Sequence, residues 1–438
     1  MTNPTRKSEL ALILCFLGII GAVPVIQTCV ELHGGGRVHF ASLLHTQPTA
    51  KNLREYEAAL EEKSVFQQRL RPETQRLLFK SLHDTGAKAV PGLNDWFFYR
   101  PDLRYLLEPD RRETDTSHST WMPPATDTTR RDSVVRAITR FRDQLRERGI
   151  QLLVVPVPGK PAVYPDQLTR RASAPESVGD GPTQSLIRTL RQQGVETVDL
   201  LDAFRTARRH GTNSSGELYL ARDTHWSPRG AALAAGKVSE RLRELRWAPP
   251  ATKTYATHPV RVNRYGDIID MMQVPGLQHE FAPELVECEQ VLDPALGPLV
   301  PSASDRPGAF KFPAQKAQVL VLGDSFCRIY QLAEPQSLGE RVERPTAAEA
   351  TDRKGETATK KLLPGSAGFI SHLALALKAP VDAIVSDGGA STDVRRKLSM
   401  NAEILEGKQV VVWEIVERDF ALGRAGWEDV PLPARLEP

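Results

Sequence analysis

A serine hydroxyl becomes a useful nucleophile only when a base takes its proton. Two short segments of this 438-residue chain carry the residue types for that chemistry. The first is Val319-Leu320-Val321-Leu322-Gly323-Asp324-Ser325-Phe326, an apolar run that leads straight into Gly-Asp-Ser. The second is Arg222-Asp223-Thr224-His225-Trp226-Ser227-Pro228, in which an acid and an imidazole stand two residues apart. His225 has the ordinary pKa of a general base, and Asp223 could hold its ring in one tautomer and stabilise the imidazolium. In extended backbone, residues i and i+2 face the same way, so both side chains can serve one site. Each segment alone is weak. A strand ending in Gly-Asp-Ser is common without catalysis, and Asp-x-His reads as readily as a turn former beside a surface histidine. A metal site is a further reading, because Asp and His both bind zinc, but no third or fourth ligand is evident.

Such residues need a scaffold that brings them together, and the chain alternates helical and strand patterns. Helices are expected over 133–149, 184–193, 228–245 and 367–377, and strands over 151–158, 195–201, 318–322, 381–386 and 409–415. The segment 151–158 is a short continuous apolar run, as a buried parallel strand is. This rhythm predicts an α/β doubly wound sheet with a parallel core. In such sheets reactive groups gather at the carboxyl ends of the strands, and Gly323 permits the tight turn there. Ser227 reads as a helix N-cap with Pro228 at the first helical position. Three stretches interrupt the rhythm. Residues 109–131 read as a polar loop, 247–316 carry few helical signals and many prolines, and 334–364 read as a charged, mobile surface loop.

Arg6 and Lys7 precede an apolar, uncharged run from Leu10 to Val30. Its length suits a bilayer core, and the flanking charges predict a cytoplasmic N-terminus with the remainder exported. An uncleaved anchor is expected over a cleaved signal peptide, since no small-x-small cleavage site follows the run. The expected division is an anchor over 1–31, a helical stalk over 32–90 and one domain over 91–438. Net charge is +3 from 57 basic and 54 acidic side chains, a balance that leaves no nucleic-acid footprint. The four cysteines, Cys15, Cys29, Cys288 and Cys327, show no zinc-ligand spacing. Cys327 reads as a small buried thiol, and Cys288–Cys327 is a pair that an oxidising compartment could join.

Asp-Thr-His-Trp-Ser-Pro-x-Gly upstream of Gly-Asp-Ser-Phe resembles the AlgJ/AlgX-like family of alginate O-acetyltransferases, SGNH-hydrolase-like proteins in which the Asp-x-His block precedes the serine block. Further blocks resemble the same family in order: Asn94-Asp95-Trp96-Phe97-Phe98-Tyr99, the Pro156-Val157-Pro158-Gly159-Lys160 segment running to Tyr164-Pro165, Tyr265-Gly266-Asp267-Ile268-Ile269-Asp270-Met271-Met272, and Trp413-Glu414-Ile415-Val416-Glu417-Arg418-Asp419. The resemblance covers about residues 90–425. It implies an SGNH-like fold, with Ser325 as nucleophile, His225 as base and acid, and Asp223 as its orienter. It also implies an acetyl group moved onto a polysaccharide acceptor, and a membrane-bound O-acyltransferase as the partner that supplies it. The expected location is the inner membrane, spanned once, with the domain in the periplasm. No cofactor and no metal are expected, and no Gly-rich phosphate loop marks a soluble acetyl-CoA site. Lys160, Tyr164 and Arg418 are expected substrate contacts. The Ser325 N–H is a candidate oxyanion donor, while Asp387-Gly388-Gly389 lacks the Asn that other SGNH proteins carry there. An esterase with the same triad, or a non-catalytic glycan-binding scaffold, are the rival readings.

Overall fold

Seven strands form the main sheet: β1 (Gln151–Val157), β2 (Glu196–Thr197), β3 (Ser302–Ala303), β4 (Ala309–Lys311), β5 (Val319–Gly323), β6 (Val381–Val385) and β7 (Val410–Val416). The computed structural model describes residues 4–33, 49, 52–53, 64–107, 127–172, 179–210, 216–274, 277, 280–295, 297–299, 302–303, 309–311, 317–331, 334–335, 362–363, 365–422 and 426–433. The strand order is β2-β1-β7-β5-β6-β4-β3. The first five are parallel to one another, β4 adds antiparallel to β6 at one edge, and β3 pairs antiparallel with β4. Strands β5, β6 and β7 are buried along their whole length. A strand covered on both faces is largely apolar on both, so these segments do not alternate, and Asp382 of β6 and Glu414 of β7 are their buried acidic positions.

Helices cover both faces. Val155, Val321 and Val412 point toward a layer that includes Phe204, Ala234, Trp226 and Phe369. Val154, Leu322 and Trp413 point toward the other, with Ile138, Phe141, Leu190 and Val394. The sheet is therefore doubly wound around a parallel core. From β1 the chain moves outward to β2, from β5 it moves outward to β6, and β7 fills the gap between. That reversal opens a crevice at the carboxyl ends of β1, β7 and β5.

Several elements differ from the sequence expectation. The stretch 247–316 holds a separate antiparallel sheet, in which Ala256–Arg264 pairs with Glu284–Asp293, and that strand with Gly297–Pro298. Its inward positions Val262, Arg264, Val286 and Cys288 alternate with more exposed ones, but prolines and charges break the apolar signal. The strand expected over 195–201 is only Glu196–Thr197. Asp199 accepts the Leu201 N–H at 3.1 Å, and the helix Leu200–His210 begins there instead. Residues 127–131, expected in a loop, open the helix Asp127–Arg146, and the rest of that loop lies outside the described residues. Of the stretch 334–364, Glu334–Pro335 pairs with Leu362–Leu363, and the remainder lies outside the described residues. All four cysteines are free thiols, so Cys288 and Cys327 are not joined.

The chain divides into two compact units, Met1–Gly86 with Gln273–Leu277, and Ala87–Met272 with Gln278–Pro438. In the first, the helix Pro4–His33 contains a stretch, Glu9–His33, long and apolar enough to cross a membrane. Gln27 near its end accepts the Val65 N–H at 2.9 Å, where the helix Val65–Leu82 begins. The second unit carries the sheet and the site described next.

Candidate active site

Strand β5 delivers Gly323 to the crevice. A Cβ there would lie 2.4 Å from Cys327 Sγ and 2.7 Å from Glu414 Oε2, so any larger residue would have to displace these two side chains. Asp324 then caps the short helix Ser325–Arg328, its Oδ1 accepting the Phe326 N–H at 2.8 Å. Beneath the turn, Glu414 Oε2 accepts the Asp324 N–H at 3.0 Å and the Cys327 thiol at 3.3 Å. Ser325 is partly exposed while Gly323, Asp324, Phe326 and Cys327 are buried. Its N–H stands at the first helical position, where backbone donors lack intrahelical partners and can meet an oxyanion.

The histidine arrives on a loop closed by the Tyr219–Trp226 bridge. Ser227 Oγ accepts the Gly230 N–H at 3.1 Å and starts the helix Pro228–Glu244, as the Ser-Pro pair predicts. His225 Nε2 lies 2.9 Å from Ser325 Oγ, and its Nδ1 lies 2.8 Å from Asp223 Oδ1. The same carboxylate oxygen accepts the His225 N–H at 2.9 Å. A proton on Nδ1 facing the carboxylate leaves Nε2 bare to accept from the serine hydroxyl. The two blocks are tied together by Trp226, whose Nε1 donates to the Phe326 carbonyl at 3.0 Å. The Phe326 ring packs 4.9 Å from the imidazole.

Sequence reasoning missed what stands behind Asp223. Arg264 Nε donates to Asp223 Oδ2 at 2.6 Å, and the Asp267 N–H reaches the same oxygen at 3.3 Å. Asp267 in turn accepts the Thr224 N–H at 2.7 Å and the Thr224 hydroxyl at 2.6 Å. Burial alone would raise the Asp223 carboxyl, but the Arg264 guanidinium and the His225 hydrogen bonds outweigh it and hold it well below the usual range. Burial, reinforced by the Asp223 charge, raises Asp267. Asp223, His225 and Asp267 bring three ligand-type atoms within 4.8 Å of one another. The cation already among them is the Arg264 guanidinium, so we assign them no metal. Neither Arg264 nor Asp267 could be found by spacing, since both sit about forty positions downstream, in a proline-rich stretch that gave few signals of regular structure. The one available signal was the Gly-Asp of the block that resembles the family.

The acids beneath the nucleophile turn behave in the opposite way. Burial first, then the nearby Asp324, push Glu414 well above the usual carboxylate range, and burial also raises Asp324.

Of the expected substrate contacts, Lys160 and Tyr164 have wholly buried side chains. Lys160 is wholly buried, and its ammonium donates to the carbonyls of Leu220, Ala221 and Asp223 at 3.0, 3.0 and 2.8 Å. It thus clamps the loop that carries the histidine, and burial pushes it down to about 8. The buried Tyr164 hydroxyl donates to Glu217 at 2.7 Å and accepts the Leu218 N–H at 2.8 Å. Arg418 pairs with the buried Asp102 at 2.8 Å, with its guanidinium over the rings of Tyr99 and Phe326. Lys160 and Tyr164 thus have their polar atoms committed inside the protein, while the Arg418 side chain stays 13% exposed beside its ion pair. At the end of β6, Asp387 is held by Arg328 Nε at 2.9 and 2.8 Å.

Comparison with known proteins agrees with this fold. Residues 89–417 match the family model described as SGNH hydrolase-like domain, acetyltransferase AlgX. A "Probable alginate O-acetylase AlgJ" of Pseudomonas syringae pv. tomato is 24% identical over 360 residues, 78% of this chain and 71% of that one. Its counterpart in Pseudomonas aeruginosa is 26% identical over 159 residues, 36% of this chain, and the chain spans only 38% of that relative's length. Among solved structures, the "O-Acetyltransferase Domain of Pseudomonas putida AlgJ" superposes with a TM-score of 0.51 at 19% identity, covering 77% of this chain and 93% of that one.

Proposed function

Because the chain belongs to the family of SGNH hydrolase-like AlgX acetyltransferase domains, we propose that it is an O-acetyltransferase acting on hydroxyls of an exported, alginate-like polysaccharide, with Ser325, His225 and Asp223 as its catalytic triad. The observation that carries this reading is the unbroken relay from Ser325 Oγ to His225 Nε2 at 2.9 Å and from His225 Nδ1 to Asp223 Oδ1 at 2.8 Å. Both lie within the reach that proton transfer needs.

In the first half-reaction the Ser325 hydroxyl proton passes to His225 Nε2 as Oγ attacks the acetyl carbonyl. The tetrahedral intermediate collapses, the donor's alkoxide leaves with the proton returned by His225, and the acetyl group stays on Ser325. In the second half-reaction His225 takes the proton of a sugar hydroxyl, whose oxygen attacks the acetyl-serine, and Ser325 Oγ departs and recovers that proton. Asp223 stays ionised throughout and stabilises the imidazolium.

The apolar helix Glu9–His33 serves as a single-pass anchor in this reading, with Arg6 and Lys7 on the cytoplasmic side. The stretch 32–90 is the stalk and 91–438 the periplasmic domain. Tethering would hold Ser325 near a membrane-bound O-acyltransferase that presents the acetyl group, which raises the local concentration of donor. The test is transfer from an activated acetyl ester to a panel of oligosaccharides that includes oligouronates. Acetylated sugar formed by the wild type and absent with Ser325→Ala supports the transferase. Acetate released with no sugar product across the panel replaces it with an esterase. No turnover by the folded wild type favours the scaffold.

A further inference from the structure

The segment Arg264–Ile268 meets the Asp-x-His turn through five hydrogen bonds, two of them to Asp223 Oδ2, the oxygen that the imidazole does not use. The Arg264 side chain, buried at the end of the inserted hairpin strand, donates to Asp223 Oδ2 at 2.6 Å. The Asp267 N–H approaches the same oxygen at 3.3 Å. The Asp267 carboxylate grips Thr224 through backbone and hydroxyl, at 2.7 and 2.6 Å, and the Ile268 N–H bonds the Arg222 carbonyl at 3.1 Å. This contact depends on Gly266. It stands at φ +90, and a Cβ there would lie 2.2 Å from the Arg222 oxygen.

Asp223 has two oxygens and hence two jobs. Oδ1 takes the imidazole and Oδ2 takes the guanidinium. A buried carboxylate whose second oxygen faces only other acids would take up a proton rather than stay charged. We propose that Arg264 is a positioning residue of the site. It fixes the orientation and the charge of Asp223, so that the inserted hairpin, outside the parallel sheet, supplies a fourth member of the relay. This inference rests on the triad reading above.

The charged and titratable groups around this contact are few. Asp223 and Asp267 face Arg264 from the loop and from the short helix Asp267–Met271, and Tyr330 lies under its guanidinium, 5.8 Å from ring centre. Asp270 faces the contact from the same short helix, Cys288 and Glu284 lie on the paired strand, and Lys160, just after β1, reaches the Asp223 carbonyl rather than its carboxylate. Arg264 is thus the cation hydrogen-bonded to the carboxylate itself. Removing it would let Asp223 take up a proton at higher pH. A protonated Asp223 no longer accepts the Nδ1–H as a carboxylate does, and activity would fail earlier on the acid side.

The experiment uses the full-length chain in detergent micelles. The second-order rate of Ser325 acylation by p-nitrophenyl acetate is followed against pH for wild type, Arg264→Gln and Arg264→Lys, with circular dichroism to confirm folding. Arg264→Gln should lose about 10- to 100-fold in the rate at neutral pH, the loss typical when a group that orients a site residue is removed. Its acid limb should move to higher pH, and Arg264→Lys should return the limb toward the wild-type position with a lowered plateau. A pH-independent reduction in Arg264→Gln, or an unchanged rate, overturns the assignment and leaves Arg264 as hairpin packing. Should the Gln variant not fold, Arg264→Lys decides alone: limb and plateau both indistinguishable from wild type overturn it. A wild type that is never acylated refutes the triad instead, so the two failures are distinct.

Discussion

Two buried carboxyl groups flank the proposed relay, and their neighbours drive them in opposite directions. Asp223 and Glu414 are both fully shielded from water. Asp223 faces Arg264 and His225 and is held well below the usual carboxylate range. Glu414 faces Asp324 under the nucleophile turn and is pushed well above it. Burial favours the neutral form of any acid, so charge survives only where a cation and hydrogen-bond donors meet it. The proposed mechanism needs this division. The acid behind the histidine must be ionised to stabilise an imidazolium. The acid beneath Ser325 must be neutral, since a second negative charge there would oppose an oxyanion at the helix start.

The sharpest way to break the comparison is to neutralise each acid in place. Asp223→Asn keeps the size but offers the ring a donor amide, which disfavours the working tautomer. The expected loss in acylation rate is on the order of 10³- to 10⁴-fold. Glu414→Gln leaves an oxygen to accept the Asp324 N–H and should cost less than about tenfold, as expected for replacing a neutral acid by a neutral amide. Comparable losses in the two variants would show that Glu414 is charged and the contrast false.

The glycines that seat the two regions sharpen it next. Gly266→Ala drives a Cβ into a backbone carbonyl at a positive φ, and should cost about 3 kcal/mol or more of stability. Gly323→Ala meets the side chains of Cys327 and Glu414, which can shift, and should cost about 1–3 kcal/mol. Denaturant melts rank them, and a Gly323→Ala variant less stable than Gly266→Ala would contradict the packing described.

The smallest effect lies in the pH dependence of stability. Asp223 has a lowered folded pKa, so its contribution is present above the unfolded value of about 4 and is lost as pH falls below it. Glu414 has a raised one, so the native state holds a proton that the unfolded chain has released above about pH 4.3. Its contribution therefore falls as pH rises from there. Glu414→Gln should gain more in Tm over wild type at pH 8 than at pH 5. An equal difference at both pH values would argue against a neutral Glu414.

The parallel core and the serine and histidine blocks were legible because each is local. Largely apolar runs mark β5, β6 and β7, Gly-Asp-Ser is a short motif at the end of β5, and Asp-x-His is one just before the helix Pro228–Glu244. The inserted hairpin was not legible, because Pro259 and a run of charged positions hide its alternation. With it went Arg264, whose partner lies 41 positions away in sequence. Lys160, Tyr164 and Arg418 show the converse. Polar types in motif-like positions suggested a ligand, yet burial turned each toward carbonyls and carboxylates of the protein. Only the folded chain shows whether a polar atom faces water.

The central claim is that Ser325 is the acyl carrier. The direct measurement is intact mass followed by peptide mapping after the full-length protein reacts with an activated acetyl ester, compared across wild type, Ser325→Ala and His225→Ala. One acetyl group on the peptide containing Ser325 in the wild type, absent from both variants, is the expected result. Acetylation elsewhere, or equal labelling of Ser325→Ala, would contradict the account.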